Sequence, residues 1–283
     1  MKKKQRIFAW MMMFVLLLSG VAIQETKLQK AVAATEKCYE FTYDKKVKVG
    51  NYYYRVNDKG NLQRSKSKSK NFKTIVNSDR GGYVYLSTGK LIYWVHYVEN
   101  KNKVTSTIYS CKMDGTAKKK LLTANKGLRP STIYQNKLYL AEGCESEGYV
   151  TYVTSLKGKA KLKLEKKELR LFNERYGQYI LGAEWEPTDV SSYGVCVYNA
   201  KTKKKISLGA GTAACFIDKK IYYANYDGKN NCFYIKRCNP NGSKKEVLAT
   251  LDDTIWYVTK VTKTYCEGYS TTSEDLKIVK IKY

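Results

Sequence analysis

One stretch limits what this chain can fold into more than any other: CFIDKKIYYANYDGKNNCFYIKRCNPNGSKKEVL, residues 215–248. It reads as a short strand, a Lys-Lys turn, an aromatic strand, a polar loop, a third strand, an Asn-Pro-Asn-Gly turn and a fourth strand entered through lysines. Runs of β-branched and aromatic residues bounded by Gly, Asn and Asp are the strand and turn signals. The central motif, a turn residue followed by an aromatic-rich strand, recurs along the chain. Taking Asn51, Lys90, Lys137, Gln178, Lys220 and Thr264 as equivalent, the steps are 39, 47, 41, 42 and 44 residues. Self-similarity at such a period marks a repeat architecture, and about four strands per 40–45 residues is the blade length of a β-propeller. The expected fold is therefore all-β: a six-bladed β-propeller with four-stranded antiparallel blades.

The second half of each unit recurs as well. In the second unit, Thr107-Ile108-Tyr109-Ser110-Cys111 runs into Met113-Asp114-Gly115 and then Lys118-Lys119-Lys120-Leu121. The third and fourth units turn at Lys157-Gly158 and Asn199-Ala200 before lysine-rich strands. The last unit stops after three strands. The segment 38–43 is expected either to supply the missing strand, so that the chain ends close the ring, or to form part of the first blade. Closure would remove edges that invite aggregation.

These motifs resemble the repeats of secreted bacterial β-propellers related to the low-density-lipoprotein-receptor-related-protein-like (TolB/YWTD-like) propeller domain. The matching residues are 108–122 and 221–248, although a repeated Tyr-Trp-Thr-Asp is missing. The resemblance implies six blades and a binding role, and for most such bacterial members no known chemistry; no cofactor is expected.

The N-terminus carries Lys2, Lys3, Lys4 and Arg6, an apolar run over residues 7–23, and Ala31-Val32-Ala33-Ala34. That order is expected of a secretory signal peptide over residues 1–34, leaving one domain over 35–283 in a secreted, extracellular protein. An uncleaved membrane anchor is the alternative. With 52 Lys and Arg against 25 Asp and Glu, the formal charge is +27. Outside a cell, such a field attracts anionic wall polymer or lipid surfaces. No nucleic-acid-reading motif is present, so specific nucleic acid is not expected as a partner, and the chain is expected to be a monomer. Eight cysteines in an exported chain allow disulfides, but buried reduced thiols account for them equally well. There is no CxxC pair and only one histidine, His96, so neither a zinc site nor a His-based triad is expected.

In a four-stranded blade a–b–c–d, the b–c and d–a loops share one face. Here the b–c loops are acidic or aromatic, with Glu142, Glu145, Glu147, Glu184, Trp185, Glu186, Asp189 and Asp227. The ligand-binding residues expected from this pattern are Glu142, Glu145, Glu184, Trp185, Glu186 and Asp227. A Trp among carboxylates suits a sugar ring or a peptide cation; packing under its own loop is the plain alternative. The c–d turns are basic, and Lys118, Lys119, Lys120, Lys203, Lys204 and Lys205 are the expected contacts to an anionic surface. Lysine on an outer strand also protects that edge, and the two roles are compatible. The function expected is non-enzymatic binding of a protein or glycan ligand by loops on one face. Two alternatives stand beside it: a carbohydrate-active hydrolase using paired loop carboxylates, and a wall-associated structural protein held by its lysines.

Overall fold

The structure is a computed structural model describing residues 37–43, 45–78, 84–100, 103–144, 148–185, 193–270 and 277–283. The expected signal segment, residues 1–34, lies outside them. Among the described residues every regular element is a strand.

β1 (Tyr39–Phe41) precedes a series of antiparallel meanders. The first unit is β2 (Val47–Val49), β3 (Tyr52–Val56), β4 (Leu62–Ser65) and β5 (Lys73–Val76). The second is β6 (Tyr85–Ser87), β7 (Leu91–Asn100), β8 (Lys103–Lys112) and β9 (Lys119–Ala124). The third is β10 (Arg129–Tyr134), β11 (Lys137–Cys144), β12 (Gly148–Ser155) and β13 (Lys163–Lys167). The fourth runs through β14 (Arg170–Tyr176), β15 (Tyr179–Trp185) and β16 (Tyr193–Asn199) into β17 (Lys204–Ile217). The fifth continues from β17 through β18 (Lys220–Asp227), β19 (Cys232–Cys238) and β20 (Glu246–Leu251). The last is β21 (Ile255–Val261), β22 (Tyr265–Ser270) and β23 (Lys277–Lys282).

The expectation of six four-stranded blades needs correction in two places. The strands form five sheets of three to seven strands, because β17 is one continuous strand shared by two units. Its first half pairs with β16 and its second half with β18. The Gly209-Ala210-Gly211 segment lets it cross over. Gly209 has φ +98°, and a Cβ on Gly211 would lie 2.1 Å from the Ala224 carbonyl oxygen. Only glycine accepts both the left-handed backbone and that approach.

The second correction concerns closure. β1 pairs with β6 through Tyr39↔Ser87 and Phe41↔Tyr85, so it widens the second unit's sheet to five strands and leaves the last with three. The ring expected to close through the terminal strands is not closed that way. Its apolar layers say the same. Among the described residues five buried clusters lie between successive units, from Tyr54 and Trp94 between the first and second to Tyr222 and Val258 between the fifth and last. Among the described residues no sixth cluster joins the last unit to the first. On the outer face of the last sheet Trp256, Tyr257 and Ile278 are 48%, 40% and 58% exposed.

The second strand of each unit explains the stacking. In β18, Ile221 and Tyr223 pack towards the fourth unit while Tyr222 and Ala224 pack towards the last. In β7, Ile92 and Trp94 face the first unit while Tyr93 and Val95 face the third. Successive strand side chains point to opposite faces, so a strand buried on both sides reads as a continuous apolar run rather than an alternating one. That is why the repeated IYYA-like segments were so visible. Turn chemistry locks neighbouring units as well: Gly115, at φ +86°, lies where any Cβ would meet the Ile75 carbonyl oxygen at 2.3 Å.

Candidate functional site

At the end of the molecule where first strands begin and second strands finish, the second, third and fourth units line a cleft of about 610 Å3. Its position follows from two matching pieces of sequence. β10 is entered through Leu128-Arg129 and β14 through Leu169-Arg170. Each arginine stands eight residues before the equivalent turn residue, Lys137 or Gln178. Both leucines are fully buried in the layers between units. Because neighbours in a strand point opposite ways, burying the leucine turns the arginine outwards. The backbone there is pinned. Leu128 N–H donates to Ser106 Oγ at 2.9 Å, and Leu169 N–H donates to the Tyr149 carbonyl at 3.1 Å.

Val84, Val95, Leu128 and Leu171 make the apolar part of the lining, and Tyr97, Tyr149 and Phe172 the aromatic part. Arg129, Arg170, Ser131, Asn173 and Glu40 supply the polar groups. Arg170 donates from Nη1 to the Tyr149 hydroxyl at 3.2 Å, and its guanidinium lies 5.2 Å from the Tyr149 ring centre and 5.9 Å from that of Phe172. Arg129 is exposed and has neither an ion-pair nor a hydrogen-bond partner among the described residues. Asn173 ties three inner strands together: Nδ2 donates to the Cys38 carbonyl at 3.2 Å, and Oδ1 accepts from Thr132 Oγ1 at 3.0 Å. Burial raises the Glu40 carboxyl above its ordinary range, against the opposing pull of Lys45, an Asn173 hydrogen bond and Arg170. Burial also pushes the Cys38 thiol up to about 11, so it is a neutral thiol at physiological pH rather than a nucleophile.

The residues expected from the sequence are dispersed. Glu142, on β11, lies between Ala141 and Gly143 of the cleft wall, and its carboxylate pairs with Lys126 at 3.1 Å. Glu184, on β15, is 2% exposed and pairs with Lys205 at 2.6 Å. Its other oxygen, Oε1, has no hydrogen-bond partner. Trp185 ends β15, its backbone opposite Tyr193. Asp227 ends β18 in the fifth unit and holds its own loop together, accepting from Lys229 N at 3.0 Å and Asn230 Nδ2 at 2.8 Å. The Asn230 contact is the chief cause that lowers the Asp227 carboxyl. Glu145 and Glu186 lie outside the described residues.

Of the lysines, Lys118 lies over the Trp94 and Tyr109 rings at 5.5 and 4.9 Å, and Lys203 pairs with Glu165 at 3.0 Å. Lys119, Lys120 and Lys204 are exposed. The cysteines other than Cys144 carry free thiols. Among the described residues no group of three or more His, Cys, Asp or Glu side chains is placed to hold a metal ion. Nor is there a helix long and apolar enough to cross a membrane.

No protein-family model and no curated protein matches the chain. Solved structures do. A prolyl endopeptidase superposes with a TM-score of 0.54 at 13% identity, over 90% of this chain and 42% of its own. An acylaminoacyl peptidase from Pyrococcus horikoshii superposes with a TM-score of 0.51 at 8% identity, over 82% of this chain and 42% of its own. TolB from Acinetobacter baumannii gives 0.42 at 13% identity, over 81% of this chain and 62% of its own. The chain thus spans less than half the length of the two peptidases. At these identities the likeness concerns fold alone: the meanders and their stacking are those of a β-propeller.

Proposed function

We propose that this chain is a secreted, non-enzymatic propeller module that binds a protein or glycan ligand in the cleft lined by its second, third and fourth units. This keeps the ligand on the face expected from the sequence, with Glu142 at the rim. It moves the main contacts to Arg129, Arg170, Tyr97, Tyr149 and Phe172. One observation supports it above the rest: Arg129 and Arg170 line one cleft in which burial raises the one carboxyl among the described lining residues, Glu40. Clefts of roughly 300–1,000 Å3 with a few placed polar groups are the usual form of a ligand site. The repeats suggest a place among the secreted propellers they resemble.

The test is a binding screen of the whole chain against immobilised peptides and oligosaccharides, repeated with Phe172→Ala. Phe172 is partly exposed, so the fold should survive its loss. Captured ligands should be lost from the variant. Unchanged capture would remove the cleft from consideration.

A second contact is proposed for the basic turns, because Lys119, Lys120 and Lys204 are exposed. Together with Lys118, Lys203 and Lys205 they are proposed to rest on anionic wall polymer or lipid. Retention on wall sacculi should then fall as salt rises.

A further inference from the structure

We infer that the cleft takes the C-terminal residue of a peptide, gripping its free carboxylate between Arg129 and Arg170. The inference rests on the cleft being the binding site and names the chemistry of what enters it.

The cation side comes first. The planar guanidinium fork matches a carboxylate bidentately, which a lysine cannot do. Arg170 is held in place before any ligand arrives, by Tyr149 through both ring and hydroxyl and by the ring of Phe172. A pre-ordered fork loses little freedom on binding. Arg129 lines the same cleft with its donors unused among the described residues. Among the other described arginines, Arg237 is spent on Glu246, Arg55 on Gln63 and Arg64 on the Met113 carbonyl. The repeat-equivalent positions in the fifth and last units hold Thr212 and Trp256, so the arginine pair is not a feature of every repeat.

The remaining walls choose between carboxylates. Half-buried Val84 and the exposed Phe172 ring give the same cleft an apolar surface. A C-terminal residue carries its side chain one bond from its carboxylate, so an apolar side chain can bury there while the acid meets the arginines. A uronic acid has no such group and would leave that surface facing hydroxyls. Glu40 lines the cleft as well, and a peptide supplies a backbone N–H for it to accept.

The experiment is calorimetric titration of the full chain with N-acetyl-Ala-Ala-Leu as the free acid, the same peptide as its C-terminal amide, and trigalacturonate. The acid should bind, the amide at least about tenfold more weakly, as expected for loss of a charge-assisted pair, and trigalacturonate not at all. Arg129→Gln should weaken the acid by about the same factor and leave the amide unaffected. Arg129 has no ion pair or side-chain hydrogen bond among the described residues, so this variant should fold; Arg170→Gln, checked by its melting curve, should act in the same direction.

Equal affinity for acid and amide would overturn the inference. So would binding of trigalacturonate in place of the peptide, or no binding of any of the three to the folded chain. Phe172→Ala separates the two levels of the proposal. If acid and amide bind equally and both are lost in that variant, the cleft is the site and only the carboxylate grip is wrong. If peptide binding survives both Phe172→Ala and Arg129→Gln, the cleft itself is wrong.

Discussion

The cations at the two ends of the blades live in different circumstances. At the turn end, Lys118 lies over two aromatic rings, Lys203 holds Glu165 and Lys205 reaches the buried Glu184. At the cleft end, Arg129 has no ion pair or side-chain hydrogen bond among the described residues, and Arg170 is held by Tyr149 and Phe172 within reach of the buried Glu40 carboxyl. By count the turn end is far the more basic. Lys119, Lys120 and Lys204 there are exposed, whereas the cleft end differs in presenting planar guanidinium groups. A net charge measures what a sequence carries; it does not measure what a folded surface has left to offer.

That contrast can be broken experimentally, and the largest effect should come from the most committed cation. Lys205→Met strands Glu184, a carboxylate 2% exposed whose other oxygen already lacks a partner. A stability loss of about 3 kcal/mol is expected in urea unfolding, since removing one member of a buried pair leaves an uncompensated charge. Changing Glu184→Met as well should recover most of it. If the single variant is as stable as the parent, the pair is not what holds Lys205. Next comes Lys118→Ala, which should cost about 0.5–1 kcal/mol through lost cation–aromatic contact. A double-mutant cycle with Tyr109→Leu measures that contact directly.

Arg129→Gln should by contrast leave the unfolding midpoint within about 0.5 kcal/mol of the parent, as surface changes away from internal contacts do. A marked loss of stability would show that Arg129 serves the fold and would erase the difference between the two ends. The smallest effect belongs to Glu40. Because burial raises its carboxyl in the folded state, the folded chain holds a proton there that the unfolded chain has already released. Stability from this group is therefore full below the ordinary carboxylate range and is lost as pH rises through the raised folded value. Glu40→Gln should flatten that part of the pH–stability curve; an unchanged slope would mean Glu40 is not the group responsible.

Much of the fold was legible in the chain, and particular residues show why. Aromatic runs such as Leu91-Ile92-Tyr93-Trp94-Val95 and Ile221-Tyr222-Tyr223-Ala224 announce strands buried on both faces, and Asp114-Gly115 and Asn241-Gly242 announce turns. The site was only half legible. The Leu-Arg doublets at 128–129 and 169–170 sat in register with the repeat and could have been noticed. Glu40 and Asn173 could not, because they meet only after β1 has added itself to the second unit's sheet. Glu184 and Asp227 looked alike as acids at the ends of second strands, yet one became a buried ion-pair partner and the other the brace of its own loop.

Alternation along a strand and the backbone needs of a turn are local matters, so residues within one unit suffice to specify a meander and to repeat it. The continuity of β17, the destination of β1 and the pairing of charges all join residues distant along the chain. Packing and Coulomb attraction act through space, and only the folded chain establishes which groups come near enough to feel them.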